Sequence, residues 1–339
     1  MRLRRSRPYG QGLRRVRRGR GFSYVDASGD AVNDAETAER IRALAIPPAW
    51  RKVWICPHAN GHIQAVGVDA AGRRQYLYHE QWRRERDEEK FDRLLDVAAR
   101  LPRLREQVAS DLRRPGLDRR RVEAVALGLL DRGVFRIGGE EYAEEHGTRG
   151  VATLLREQVR VSGEEMLFDY VAKGGARRRV RITEPDLARA VRALRRNDSP
   201  SGRLLVYRDG GNLCELHSGD INARFKELVG NDHSAKDFRT WQATVLAAAG
   251  LAATERPNSE RRRASAVRQV MAEVAEALGN TPAVARNSYV DPRVVEAWER
   301  GDTIAAAVRR ADRVDDPDER QKIVERAVLR LLRSAERVR

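Results

Sequence analysis

Cysteine is almost absent: Cys56 and Cys214 are the only two, too few for a disulfide framework or a four-cysteine zinc module. No apolar run approaches the ~18 residues that suggest a membrane-spanning helix, so no span is expected. The N-terminus is basic but lacks the apolar stretch of a secretory signal, and the expected compartment is the cytoplasm. Lysine is scarce as well, six residues against 60 arginines, a bias that a GC-rich genome would produce. Acid is missing from one place in particular: residues 1–20 hold nine arginines and no Asp or Glu.

What is present bounds the rest. A chain of 339 residues with 41% hydrophobic content can bury a sizeable core and has room for about two domains. The net charge of +16 points to a polyanionic partner, nucleic acid before an anionic membrane surface. Nine of those charges lie in residues 1–20, leaving a mixed-charge body of +7. The block reads as a basic arm that holds DNA phosphates by counterion release; an organelle transit segment is the competing reading, weakened by a single serine.

Residues 22–80 carry short β-type runs at Phe22–Val25, Lys52–Cys56, His62–Val68 and Arg74–Tyr78, with one helix over Glu36–Ala45 stopped by Pro47-Pro48. From about residue 84 the spacing becomes helical, after a linker near 80–88. Val122, Val125, Ala126, Leu129 and Leu130 fall on one helix face, and Gly133 offers a stop. Ala264, Val267, Met271, Val274, Ala275 and Leu278 form a second stripe; Trp241–Leu251 is apolar nearly all round and predicts a buried helix. Met166–Ala172 and Arg177–Thr183 flank Lys173-Gly174-Gly175-Ala176, a hairpin with glycines at its tip. Pro317–Val338 predicts a last amphipathic helix. The expected organisation is a basic arm over 1–20, a β-rich DNA-gripping domain over 21–83 and a helical catalytic domain over 84–339.

Taken singly, the candidate chemical residues are ordinary. Tyr289 precedes a helix that Pro292 can start, and an inter-helix tyrosine is usually a packing residue. Gly279-Asn280 is normal C-terminal capping chemistry, with Thr281-Pro282 starting the next helix. Lys173 at a hairpin tip is by default a solvated lysine, and Arg136 and Arg239 are two arginines among 60. Cys56-Pro57-His58 with His62 lacks a fourth zinc ligand at proper spacing. Asp315-Asp316-Pro317-Asp318 is more simply a helix N-cap than a metal-dependent nuclease site.

Their order is not ordinary. The chain presents Phe135-Arg136-Ile137-Gly138, then Tyr142 and Gly147-Thr148-Arg149-Gly150-Val151-Ala152-Thr153-Leu154, then Lys173, Lys236-Asp237-Phe238-Arg239, Gly279-Asn280, and Tyr289 nine residues later. This series, from about residue 20 to about 300, closely resembles the type IB DNA topoisomerases, in their compact poxvirus-like and bacterial group. Gln75-Tyr76-Leu77-Tyr78 is similar to that family's DNA-contacting strand, in which alternation puts Tyr76 and Tyr78 on one face.

The resemblance implies an α+β fold: a small β-rich N-terminal domain plus a larger, mainly helical catalytic domain with a small β-hairpin sheet, as in tyrosine recombinases and type IB topoisomerases. It implies an enzyme that closes a two-lobed clamp on double-stranded DNA and relaxes supercoils through a 3′-phosphotyrosyl intermediate, without ATP, metal or other cofactor. Tyr289 is then the nucleophile, Arg136, Arg239 and Asn280 the transition-state donors, and Lys173 the general acid. Gln75, Tyr76, Tyr78, Tyr142 and Lys236 become DNA-binding residues. Water and the neighbouring arginines both stand as acceptors of the Tyr289 proton. Many relatives carry His where this chain has Asn280, which donates a hydrogen bond but carries no charge near neutral pH. The expected protein is a nucleoid-associated monomer with no obligate protein partner and no membrane attachment. Two rivals stand beside this reading. A tyrosine recombinase or integrase usually places His three residues before the second arginine, where this chain has Lys236, and has a helical N-terminal domain. The other rival is a non-catalytic basic DNA-binding protein.

Overall fold

The N-terminal strands pair into one antiparallel sheet. They are β1 (Leu13–Arg18), β2 (Gly21–Val25), β3 (Arg51–Ile55), β4 (Ile63–Val68) and β5 (Arg74–Tyr78), in spatial order β2-β1-β3-β4-β5, with helix α1 (Ala35–Ala43) between β2 and β3. Alternation along β3 sends Val53 and Ile55 to one face and Trp54 to the other. The first face forms a core with Leu13, Ile41 and Ala65; the second packs Trp54, Cys56 and Val66. The computed structural model describes residues 1–19 and 21–336, except for the side chains of Tyr142, His146 and Glu336. It divides into two units, Met1–Phe91 and Asp92–Arg339.

Two features of the organisation differ from expectation. Residues 13–18, read from the sequence as part of an arm, are a strand of the sheet. β1 lies between β2 and β3, with Leu13 buried opposite Ile55, and Arg15 donates to the carbonyls of Ile46, Pro47 and Trp50 at 3.2, 3.1 and 2.6 Å. Backbone pairing recruits this segment, and a charge count does not register pairing capacity. Nor is there a linker near 80–88: helix α2 (Glu80–Leu112) starts directly after β5 and runs unbroken past Phe91.

The second unit is mainly helical. After α2 come α3 (Arg119–Gly133) and α4 (Glu140–His146), then a three-stranded antiparallel sheet of β6 (Val159–Ser162), β7 (Glu165–Val171) and β8 (Arg177–Thr183). Helix α5 (Pro185–Leu194), a ribbon of β9 (Val206–Asp209) and β10 (Asn212–Glu215), and α6 (Ser218–Val229) follow. The chain closes with α7 (Lys236–Ala253), α8 (Glu260–Leu278), α9 (Pro282–Ser288), α10 (Pro292–Arg300), α11 (Ala305–Ala311) and α12 (Pro317–Glu336). This is the α+β arrangement that the sequence suggests; β6, β9 and β10, of only four residues each, are too short to stand out in the sequence pattern.

The predicted apolar face of α3 is wholly buried, and so is that of α8 from Val267 onward, whereas Ala264 is exposed. Arg105 of α2 ties α3 to α12 by ion pairs of 2.7 Å to both Asp131 and Glu325. Its guanidinium is held above the ordinary range: burial pulls the pKa down, and the two carboxylates more than offset that. The stop of α3 differs from expectation. Val134, not Gly133, takes the left-handed conformation, at φ 53°. Gly133 serves close packing instead, since a Cβ there would lie 2.1 Å from the Phe135 ring.

Candidate active site

The last turn of α8 organises the site. A helix C-terminus presents carbonyls without intrahelical partners and carries partial negative charge, so it attracts cations. Here three arginines from three other elements occupy successive carbonyls. Arg178 of β8 donates to Glu276 O at 3.0 Å and Ala277 O at 2.8 Å. Arg239 of α7 donates to Leu278 O at 2.7 Å and to Val134 O. Arg136 donates to Gly279 O at 3.3 Å and to Asn280 Oδ1. Gly279 ends the helix at φ 61°, as the sequence suggests, and its missing side chain admits Arg178: a Cβ would stand 2.8 Å from Nη1.

Arg136 is delivered by a backbone clasp. Val151 N donates to Arg136 O at 2.9 Å and Ala152 N to Ile137 O at 2.7 Å. Gly138 and Gly150 make the approach possible, since a Cβ on Gly150 would fall 2.5 Å from Gly138 N and 2.6 Å from Arg136 O. The Phe-Arg-Ile-Gly and Gly-Thr-Arg-Gly segments are therefore one structural unit.

Tyr289 sits at the C-cap of α9, with its carbonyl 3.3 Å from Thr244 Oγ1. Thr244 also receives Asp291 N at 3.2 Å, so α7 fixes the turn from Tyr289 into α10. Lys236 and Arg239 are three residues apart on α7 and share a face. Lys236 Nζ lies 6.0 Å from the Tyr289 ring centre and the Arg239 guanidinium 5.3 Å from it. Arg239 is only 4% exposed. Burial foremost, then the like charge of Arg136, bring its pKa down to about 10, while Tyr289 opposes the fall.

Asn280 Nδ2 is buried with no hydrogen-bond acceptor among the described residues, and the Arg239 side chain shares a hydrogen bond with that of Tyr289. Arg136 donating to Oδ1 fixes the orientation of the Asn280 amide, leaving its NH2 donor at the other end. Buried donors without acceptors cost about 1–3 kcal/mol each, and an anion removes that cost.

The structure thus brings together Arg136, Arg239, Asn280 and Tyr289, with Lys236 at the tyrosine's edge. Lys173 stands exposed at the tip of the β7–β8 hairpin, where Gly174 and Gly175 have φ of 89° and 78°. Tyr142 lies in α4, and its side chain falls outside the described residues. In the first unit, Tyr76 and Tyr78 are exposed (38% and 40%) and stacked with ring centres 6.0 Å apart. Gln75 projects to the other face, where its amide donates to Asp69 Oδ2 at 2.9 Å. Two of the residues that invited a zinc reading face Ser6: Cys56 Sγ lies 3.6 Å from Ser6 Oγ, and His62 Nδ1 accepts from Ser6 N at 2.9 Å.

Sequence reasoning missed Arg178 and Tyr170. Arg178 is one of three consecutive arginines, and only strand alternation separates it from its neighbours. Tyr170 lies directly opposite it on β7, buried, and stacked on Phe135 at 5.7 Å. Its phenol is pushed up by burial, against the charge of Arg178 and a side-chain hydrogen bond with it.

A small antiparallel sheet unit is followed by a helical unit that sets one tyrosine among guanidinium groups, and the families that match these two units are DNA-acting isomerases. Residues 79–312 match the family model for the catalytic core of eukaryotic DNA topoisomerase I, and residues 21–69 match the N-terminal domain of bacterial DNA topoisomerase IB. The chain belongs to the type IB DNA topoisomerases. It is 27% identical over 313 residues to DNA topoisomerase 1B of Acanthamoeba polyphaga mimivirus, covering 90% of this chain and 93% of the viral one. It is also 31% identical over 131 residues to DNA topoisomerase 1 of Daucus carota, covering 38% of this chain but only 15% of the plant protein.

Proposed function

We propose that this type IB topoisomerase relaxes supercoiled duplex DNA by reversible transesterification at Tyr289. The tyrosine Oη forms a bond to phosphorus, and the bond from phosphorus to the deoxyribose O5′ breaks. Lys173 gives its proton to that leaving oxygen, since an alkoxide is a poor leaving group. Water accepts the phenol proton and later restores Lys173, so no net proton is consumed. The product is a 3′-phosphotyrosyl enzyme and a free 5′-hydroxyl, one ester in place of another, so resealing is the same step reversed and needs no nucleotide. Between the two steps the free strand rotates.

The observation that carries this reading is the buried donor Asn280 Nδ2, which has no acceptor among the described residues, on an amide held by Arg136, together with Arg239 beside the Tyr289 ring. The pentacoordinate transition state gathers charge on the non-bridging oxygens, which Arg136, Arg239 and Asn280 stabilise by about 3–4 kcal/mol per preorganised donor. A phosphate there also offsets the desolvation of Arg239 and its repulsion by Arg136. Lys236 is assigned to phosphate binding at the same edge, and Tyr76 and Tyr78 to the duplex. Gln75 supports the β4–β5 turn through Asp69 before it is free to read a base. One chain acting on one duplex fits a monomer working on the nucleoid.

The test is supercoiled plasmid incubated with EDTA and without nucleotide, quenched by denaturant. Relaxation and a covalent protein–DNA adduct are expected from the wild type. Tyr289→Phe loses both while still binding DNA; an adduct persisting in that variant refutes the assignment. Relaxation of a plasmid with no second recombination site separates this reading from a recombinase.

A further inference from the structure

We propose that Arg178 is a positioning residue, locking the hairpin that carries Lys173 onto the end of α8 that carries Asn280. The inference rests on the transesterification reading and adds a residue to it.

Alternation along β8 turns Arg177, Arg179 and Arg181 outward, where they pair with Asp169 and Glu165. Arg178 turns to the other face with Val180 and Ile182. There it forks over two consecutive carbonyls of α8, Glu276 O and Ala277 O. A forked guanidinium fixes direction as well as distance, which a lysine ammonium does not. The end of α8 does not need this bond to terminate, because Gly279 N and Asn280 N already return to Glu276 O and Ala275 O at 3.0 and 2.9 Å. The contact instead joins two separate elements.

The hairpin is braced on a second side. Tyr170, cross-strand partner of Arg178, stacks on Phe135, the neighbour of Arg136. Arg149 N adds a bond to Val171 O at 2.7 Å. From Arg178 the ladder continues to the Val171–Arg177 pair and to Ala172, whose N–H donates to Ala176 O at 2.8 Å. Lys173 follows directly. A rigid two-stranded lever therefore links the general acid at its tip to the phosphate donors at its base. Loosening the base should move the acid more than it moves the donors.

The experiment uses the full chain and a duplex bearing a cleavage site mapped with the wild type. It is made with either an oxygen or a sulfur at the scissile 5′ position. A thiolate leaves without protonation, so it dispenses with the general acid. Arg178→Ala is expected to slow cleavage of the oxygen ester by about 100-fold, the usual cost of a ~1 Å misplacement. On the sulfur ester it should come within a few-fold of wild type. Arg178→Lys should fall between, and Tyr170→Phe should show the same selectivity to a smaller degree; these two decide the matter if Arg178→Ala does not fold. Equal losses on both esters, or wild-type cleavage of both, overturn the positioning role. Lys173→Ala is run alongside. If sulfur does not rescue Lys173→Ala, the general-acid reading itself fails; if it rescues Lys173→Ala but not the Arg178 variants, only the present inference fails.

Discussion

Asn280 illustrates how neighbours orient a single side chain. An isolated amide offers both a donor and an acceptor. Arg136 occupies the oxygen, so the buried NH2 group faces the site as a donor. Gly150 acts on the same arginine through the backbone, since any side chain there meets Gly138 N and Arg136 O, atoms that no rotamer change can move. Gly150→Ala is accordingly expected to cost about 1–3 kcal/mol of stability, and to depress cleavage further by displacing Arg136. Thermal melts and single-turnover cleavage measure the two effects; unchanged cleavage would show that the clasp does not position Arg136. Val134 belongs with these residues. A β-branched side chain at φ 53° is strained by about 1–3 kcal/mol, and its carbonyl receives Arg239.

Among the elements, α8 matters for where it stops more than for what it buries. Its last carbonyls collect guanidinium groups from β8, α7 and the segment after α3, so one helix end sets the relative placement of Arg136, Arg178 and Arg239. In the N-terminal sheet the comparable device is Asp69, which closes the β4–β5 turn. Its carboxylate accepts from Ala71 N, Arg73 N and Gln75 Nε2, each at 2.9 Å. The hydrogen bond from Arg73 leads in holding Asp69 below its ordinary value of 3.8. A depressed carboxylate stabilises the fold above its unfolded pKa and loses that contribution as pH falls through its folded value. Acid unfolding between pH 5 and about 2, followed by tryptophan fluorescence, should therefore be less steep in Asp69→Ala. Identical profiles would mean that this turn does not contribute to acid stability.

At the scale of the whole molecule, the basic N-terminus is part of a sheet, and that changes what a truncation measures. Deleting residues 2–20 removes an interior strand together with the burial of Leu13. The expected result is loss of the N-terminal fold, visible by circular dichroism, with DNA binding lost as a consequence. Phosphate binding is tested instead by Arg14, Arg17 and Arg18, the exposed arginines of β1. Replacing all three with Gln should leave the melting temperature within a few degrees of wild type. It should flatten the dependence of log affinity on log salt by about 0.9 for each phosphate no longer neutralised. An unchanged slope would place this strand away from the DNA.

Local pattern was enough to place the longer helices and their ends. Long apolar stripes located α3, α7 and α8 because a helix must bury one face. Gly279, Thr281 and Pro292 marked ends and starts because backbone conformation at those points is local. Of the ordered series that the resemblance singled out, the fold gathers Arg136, Arg239, Asn280 and Tyr289. It took contacts between distant segments to make residues 13–18 a strand, to turn Gln75 away from Tyr76 and Tyr78 towards Asp69, and to bring Arg178, and not its neighbours Arg177 and Arg179, to α8. Each of these depends on pairing between segments far apart in the chain, and the free energy of such pairing belongs to neither segment by itself.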